Sequence, residues 1–303
     1  MSENLSPAFL SNLANVYASL RPQAFSAKFL SDLEQIHAIL PVASDANLLS
    51  LGNHFLHWRK VTQEFISTRL KELPDDDPLL SPISLFRTMD YGRLETAHTR
   101  TLAWLLDPKK NDEHGFGHSL LAALLLRLAH RVHFDRFHVD RVASEYSLEG
   151  SDGQGRLDVL AEGVWENGGE HVRWTLVVEA KIDAWEGDGQ LQKYDEWLAT
   201  HANGRTTYRV FLTPDGRAPE TGSDEWEPMS YLELVRIMRH EYGKLRHSPG
   251  FHFLRFYLAG VLQDVCGLPR NVGANAADPY TIASYLKNIH ESQSKGESHD
   301  TAR

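Results

Sequence analysis

The sequence predicts an α/β (α+β) fold, with a mixed sheet of four to five strands flanked by helices and a helical region ahead of it. Three observations predict it. From Pro7 to about Leu73 apolar residues recur three and four apart, the spacing of a helix face, with Pro41 interrupting the pattern. At about Val142 the character changes to short runs rich in Val, Leu and aromatic residues, separated by glycine-rich turns. Beyond Gly189, helical and strand-like segments alternate.

The elements follow in order. LPDDDPLLSP, from Leu73 to Pro82, sets three prolines around Asp75, Asp76 and Asp77 and reads as a linker whose aspartates form a solvated turn. Glu95 to Leu106 reads as an amphipathic helix and Ser119 to His130 as a very apolar one, joined by the loop DPKKNDEHGFG. RVASEYSL, GRLDVLAEGVW and VRWTLVVEAKI then form three strands in a meander, because EGSDGQG and ENGGE separate them at hairpin spacing. A helix from Gly189 to about Thr200, the strand TTYRVFLT with its PDGRAP turn, and helices near Ser230 to Tyr242 and Phe251 to Val265 complete the order. After Asn275 the chain turns polar, as a frayed tail does. The expected division is a helical region and linker over 1–82, a core with C-terminal helices over 83–270 and a tail over 271–303.

Composition narrows the function. At 303 residues the chain can bury a sizeable core, and its single cysteine, Cys266, excludes an internal disulfide and any multi-cysteine metal site. That cysteine usage, with no leader-like N-terminus and no stretch of eighteen apolar residues, leads to the expectation of a cytoplasmic protein without membrane contact. A formal charge of −10, from 31 Lys and Arg against 41 Asp and Glu, argues against non-specific coating of nucleic acid. It leaves room for a local basic cleft, and Arg127 to Arg141 and Arg236 to Arg246 are the segments rich enough to line one; a solvated helix face is the plainer reading of each. His114 and His118 have metal-ligand spacing, but glycines on either side of Phe116 give them a loop or cap role instead. There is no GxSxG elbow, HExxH or phosphate-binding GxxxxGK[ST] loop, so serine-hydrolase, zincin and ATP-driven chemistry lack their residues.

The informative pattern is a pair of acids on two successive strands with a lysine two positions past the second: Asp158 in RLDVL, then Glu179 and Lys181 in VVEAK. Strand alternation sets Glu179 and Lys181 on one face, about 7 Å apart along the backbone. If the two strands pair as a hairpin, Asp158 comes beside Glu179. Two carboxylates and the backbone carbonyl of Ala180 then make a hard-oxygen site suited to Mg²⁺. Lys181 beside such an ion can orient or deprotonate a water, or stabilise charge on a phosphate oxygen. A buried structural ion pair between Glu179 and Lys181 is the competing explanation, since burying either charge alone in LVVEAKI costs several kcal/mol.

With Gln190 and Tyr194 following in QLQKY, these residues resemble the PD-(D/E)XK nuclease superfamily, including the QxxxY element of its RecB-like branch. ETAHTRTLAWLLDP, HGFGHSLLAALL and YRVFLTPDG are similar to a bacterial PD-(D/E)XK family of otherwise unassigned proteins, so the resemblance spans roughly residues 85 to 265. It departs at Leu157, where the superfamily's name has proline, a residue often replaced there.

The resemblance implies a restriction-endonuclease-like core and a Mg²⁺-dependent deoxyribonuclease, Mn²⁺ substituting, that serves defence against foreign DNA or DNA processing. Asp158, Glu179, Lys181, Glu95 and Gln190 would be catalytic. Asp158, Glu179, Glu95 and the Ala180 carbonyl would hold the metal. Tyr194, Arg156 and His98 would meet substrate. Each peripheral residue has a plainer reading: Glu95 as an acid favoured at a helix N-terminus, Arg156 as a cross-strand ion-pair partner, His98 as a packing residue. Glu145 on the first strand is a further acidic candidate. The expected partner is DNA, with the N-terminal helices available for a homo-oligomer or a partner protein. The alternative function is a nuclease-fold DNA-binding or assembly module without catalysis.

Overall fold

A computed structural model describes residues 57, 60–111, 116–129, 134–148, 155–242, 245, 250–268, 282, 283, 285 and 286. These fall in two compact units, one spanning Pro74–Arg270, the other holding the described residues up to Leu73 and those at 282–286. In the second unit residues 60–70 are helical, as the spacing predicts; the helices expected over 7–56 and the polar tail lie outside the described residues. No described helix is long and apolar enough to cross a membrane.

The larger unit is built on a mixed five-stranded sheet in the order β1 (Arg136–Ser147), β2 (Arg156–Asn167), β3 (Glu170–Ala180), β4 (Thr206–Thr213) and β5 (Trp226–Ser230). The first three form the expected antiparallel meander, and β4 and β5 add on in parallel. The central strands are buried over long consecutive runs because helices cover both faces, so neither alternates in polarity as a half-exposed strand would. β1 is bulged between Val139 and Arg141. Opposite the bulge Gly163 is obligatory, because a Cβ there would lie 2.1 Å from the His138 carbonyl oxygen and 2.4 Å from the Trp174 ring.

Helix α1 (Glu95–Leu106) packs on β1 and β2, and α2 (Phe116–Leu128) packs against α1 and α4 (Tyr231–Tyr242). On α3 (Gln190–His201) the buried residues Leu191, Tyr194, Trp197 and Leu198 form one stripe, which joins Leu160, Val177, Phe211 and Trp226 in a core cluster. This packing fixes which way α3 presents Gln190.

Three expectations are corrected. β5 escaped the pattern reading because it is short and carries Pro228; a parallel edge strand tolerates a proline that a central strand would not. The helix expected to run to Val265 is α-helical only as α5 (Phe251–Gly260), and Val261–Val265 is a π-helix whose inward Gln263 donates to the Ser81 carbonyl at 2.8 Å while Asp264 accepts from Ser84. Nor are all three aspartates of the linker solvated. Asp77 is 2% exposed, caps the 3-10 turn Pro78–Leu80 through the Leu79 amide and pairs with Arg239.

Candidate active site

The pairing of β2 with β3 sets Val159 opposite Val178, and one further step along that register sets Asp158 opposite Glu179. Asp158 Oδ2 accepts the Ala180 amide at 2.8 Å, which ties the first acid to the strand carrying the second. β3 ends at Ala180, but the parallel ladder continues for one more bond, Lys181 N–H to the Leu212 carbonyl at 2.9 Å. This holds Lys181 extended, and its ammonium folds back to donate to Glu179 Oε1 at 2.5 Å. Glu95, the first residue of α1, reaches the same place: its Oε2 accepts the Ile182 amide at 3.1 Å and its Oε1 lies 3.6 Å from Lys181 Nζ. Glu179 and Glu95 therefore share one lysine, and Asp158 is near enough to act on its charge.

Gln190 completes the centre. Its amide nitrogen donates to Glu179 Oε1 at 2.6 Å and to the Tyr194 hydroxyl at 2.8 Å, its oxygen accepts the Gly187 amide, and Tyr194 donates onward to the Arg156 carbonyl at 2.9 Å. One helical turn separates Gln190 from Tyr194, so both lie on the face that the core stripe of α3 fixes. The chain Glu179, Gln190, Tyr194, Arg156 carbonyl is continuous, and it sets how the Glu179 carboxylate is turned.

A cavity of about 490 Å³ opens on this centre, lined among others by Glu95, Asp158, Glu179, Lys181, Gln190 and Lys193. Burial, opposed by the Ala180 amide and Lys181, raises the Asp158 pKa to about 6. Burial and the neighbouring charge of Asp158 raise that of Glu179 to about 8. Burial alone would lower the Lys181 pKa, but Glu179, Glu95 and Asp158 outweigh it and raise it, so the lysine stays charged while the acids compete for protons. Glu179 Oε2 is buried and has no hydrogen-bond partner among the described residues. Surplus carboxylate charge, protons held above the ordinary carboxylate range and a bare buried oxygen all fit a divalent cation. Among the described residues no three acid, imidazole or thiol groups already converge as a ligand set; the lysine ammonium takes the position between Glu95 and Glu179.

The peripheral candidates part company. Arg156 lines the cavity and also pairs with Glu145 at 3.0 Å, so the cross-strand reading and the cavity-facing one hold together, and Glu145 is held by Arg100 and Arg156 outside the lining. His98 is not among the lining groups. It is 1% exposed, packed by Phe86, Tyr231 and Tyr257, and shares a hydrogen bond with the Gly92 carbonyl at 2.8 Å, which is the packing role. Its burial lowers its pKa. His118 is bonded to the Phe137 carbonyl, and His114 lies outside the described residues. Among the described members of the two arginine-rich segments, Arg127 pairs with Glu227 and Glu233, Arg136 with Glu166, Arg141 with Glu162 and Arg239 with Asp77; Arg127 and Arg236 line a second cavity together with Glu233 and Glu241, and none of these arginines lines the first.

Positive charge at the cavity comes from elsewhere. Lys193, three residues past Gln190, is exposed on the lining, where the i,i+3 spacing from Gln190 was its available sequence signal. Arg93 grips Asp183 with three hydrogen bonds and donates to the Asp264 carbonyl at 2.8 Å, so the segment leading into Glu95 is tied to the segment leaving Lys181. No periodic pattern marks such a contact.

A family model for the PD-(D/E)XK nuclease superfamily matches residues 84–301. The chain belongs to that superfamily, and its five-stranded mixed sheet flanked by helices agrees with the restriction-endonuclease-like fold. The match extends beyond residue 265, where the resemblance read from the sequence ended. No curated protein and no solved structure matches the chain.

Proposed function

We propose that this superfamily member hydrolyses DNA phosphodiester bonds at the centre formed by Asp158, Glu179 and Lys181, with Mg²⁺ as the working ion and Mn²⁺ able to replace it. The observation that carries the reading is the under-compensated acid pair: Glu179 is 1% exposed with a bare Oε2, and Asp158 stands opposite it with its own pKa raised. A structural ion pair would not gain from a second buried acid beside it.

Asp158, Glu179, the Ala180 carbonyl and Glu95 would hold the cation. When bound, such an ion polarises a phosphoryl oxygen and lowers the pKa of coordinated water. The chain supplies the rest. The Ala180 and Ile182 amides fix the Asp158 and Glu95 carboxylates, and Gln190, itself held by Tyr194, fixes Glu179. Lys181 keeps its proton and presents it where charge develops on a phosphate oxygen, or holds the attacking water. Lys193 and Arg156 on the lining would receive the flanking phosphates.

By analogy of family the biological setting is defence against foreign DNA or DNA processing, and the lone cysteine accords with the cytoplasm. The N-terminal helices would serve self-association or a partner protein. The test is incubation of purified protein with circular and linear DNA in Mg²⁺, Mn²⁺ or EDTA, beside Asp158→Ala. Cleavage that needs the ion and Asp158 supports the reading; DNA binding without cleavage under any ion leaves the non-catalytic module.

A further inference from the structure

Trp185 is the most exposed large hydrophobic residue described, at 71% against 50% for Met89, the next. Single exposed aromatics are ordinary. The setting of this one is not. It lies two residues before Gly187 and Asp188, which line the cavity, on a segment anchored throughout. Asp183 is gripped by Arg93, Glu186 accepts the Glu220 amide at 2.7 Å and the Thr221 amide at 3.1 Å, and the Gly187 amide donates to Gln190. The backbone is thus held while the indole is left open.

Beneath the ring is Arg217, its guanidinium carbon 4.9 Å from the ring centre; the guanidinium donates to the Ala184 carbonyl at 3.0 Å, and the Arg217 amide donates to the Thr213 hydroxyl at 3.0 Å. Among the described residues the Arg217 guanidinium forms no ion pair, so a cation is kept in place under an aromatic ring beside an acid-lined cavity. A rigid indole with one face backed by a cation and the other in solvent is the form of a stacking platform for a flat, electron-rich ring.

Resting on the nuclease reading of the adjacent centre, we infer that Trp185 stacked on Arg217 receives an unpaired base of the strand being cut. The substrate class is then single-stranded or frayed DNA. Paired bases in a duplex stack on one another and offer no free face, so this platform contributes to binding only where the strand is open.

The test is equilibrium binding of labelled linear oligo(dT) and of a labelled, relaxed, covalently closed duplex circle, which has neither ends nor a single-stranded loop, in EDTA at one fixed salt concentration, to wild type, Trp185→Ala, Trp185→Phe and Arg217→Ala. Trp185→Ala should lose about tenfold in affinity for oligo(dT), the scale of one stacked base, and leave the duplex unchanged. Trp185→Phe should keep most of the affinity because a ring remains. Arg217→Ala should weaken oligo(dT) as well. Oligo(dT) affinity unmoved in Trp185→Ala, or equal losses on both DNAs, would overturn the inference, and wild-type cleavage of DNA in Mg²⁺ in the same preparation would leave the nuclease reading standing. Wild-type protein that neither binds nor cuts either DNA would remove both.

Discussion

Two glutamates on neighbouring strands, Glu162 on β2 and Glu179 on β3, are buried to similar extents, at 4% and 1% exposure, and are treated in opposite ways. Around Glu162 the fold gathers Arg141, Arg205 at 3.8 Å, His201 at 3.3 Å and the Thr175 hydroxyl. Around Glu179 it places one lysine, one amide and a second acid, and leaves an oxygen bare. Buried charge that only supports a fold is surrounded by its opposites. Buried charge that is short of them is what the proposed cation site requires.

Activity should separate the two most. If they hold the cation as proposed, Asp158→Ala and Glu179→Ala should each reduce Mg²⁺-dependent cleavage by about a thousandfold or more, since several kcal/mol of transition-state stabilisation would pass through them. A Glu162 variant that remains folded should cut at close to the wild-type rate. Comparable losses from Glu162 and Glu179 substitutions would erase the distinction.

Stability should move in opposite directions. Glu162→Ala leaves two arginines facing each other across an empty site and should destabilise by about 3 kcal/mol, reduced from a fully buried pair by the exposure of Arg141. Glu179→Gln retains an acceptor for Lys181 while removing a charge that burial and Asp158 disfavour. It should raise the stability of the metal-free protein by about 1–2 kcal/mol at pH 8, read by chemical denaturation.

The smallest effect is in pH dependence. Folding raises both carboxyl pKa values, so between the ordinary and the folded value the native state holds more protons than the unfolded chain, and raising the pH lowers stability. For Glu179 that window runs from 4.5 to about 8, and for Asp158 from 3.8 to about 6. Metal-free protein should therefore lose a few degrees of melting temperature from these groups between pH 5 and pH 8, and Glu179→Gln should flatten the fall. Added Mg²⁺ favours the deprotonated acids, so its stabilising effect should be larger at pH 8 than at pH 5.5. A melting temperature that rose through this window in wild type and in Glu179→Gln alike would show that other groups dominate.

How far the sequence carried the structure follows from what each residue depends on. Asp158, Glu179 and Lys181 were legible because a strand's two-residue period and a hairpin's register are local rules, and Gln190 and Tyr194 share a face by the four-residue spacing of a helix, whereas only the family resemblance pointed to Glu95 and to that face as parts of one centre. His98 misled by the same logic. One turn from Glu95, it is near in spacing, but Glu95 reaches forward to the Ile182 amide while His98 turns into the rings of Phe86 and Tyr257. Lys193 lies within reach of the helical rule, but a charged helix residue is usually solvated and spacing alone does not single it out. Asp77 with Arg239, and Arg93 with Asp183, join segments far apart in sequence, and no periodicity records such pairs. The strand around Pro228 and the π-turn after Gly260 are local departures from regular propensity, stable only because neighbouring elements hold them.

The role of the lysine is the most direct test of this centre: single-turnover DNA cleavage by Lys181→Ala across a Mg²⁺ titration. With the proposed acid ligands intact, the half-saturating Mg²⁺ concentration should stay close to wild type while the rate at saturation falls by roughly a hundredfold or more, the scale of losing one electrostatic or proton-transfer group. Cleavage at the wild-type rate would make Lys181 no more than the buried ion-pair partner of Glu179, and would contradict the assignment of this centre to phosphodiester hydrolysis.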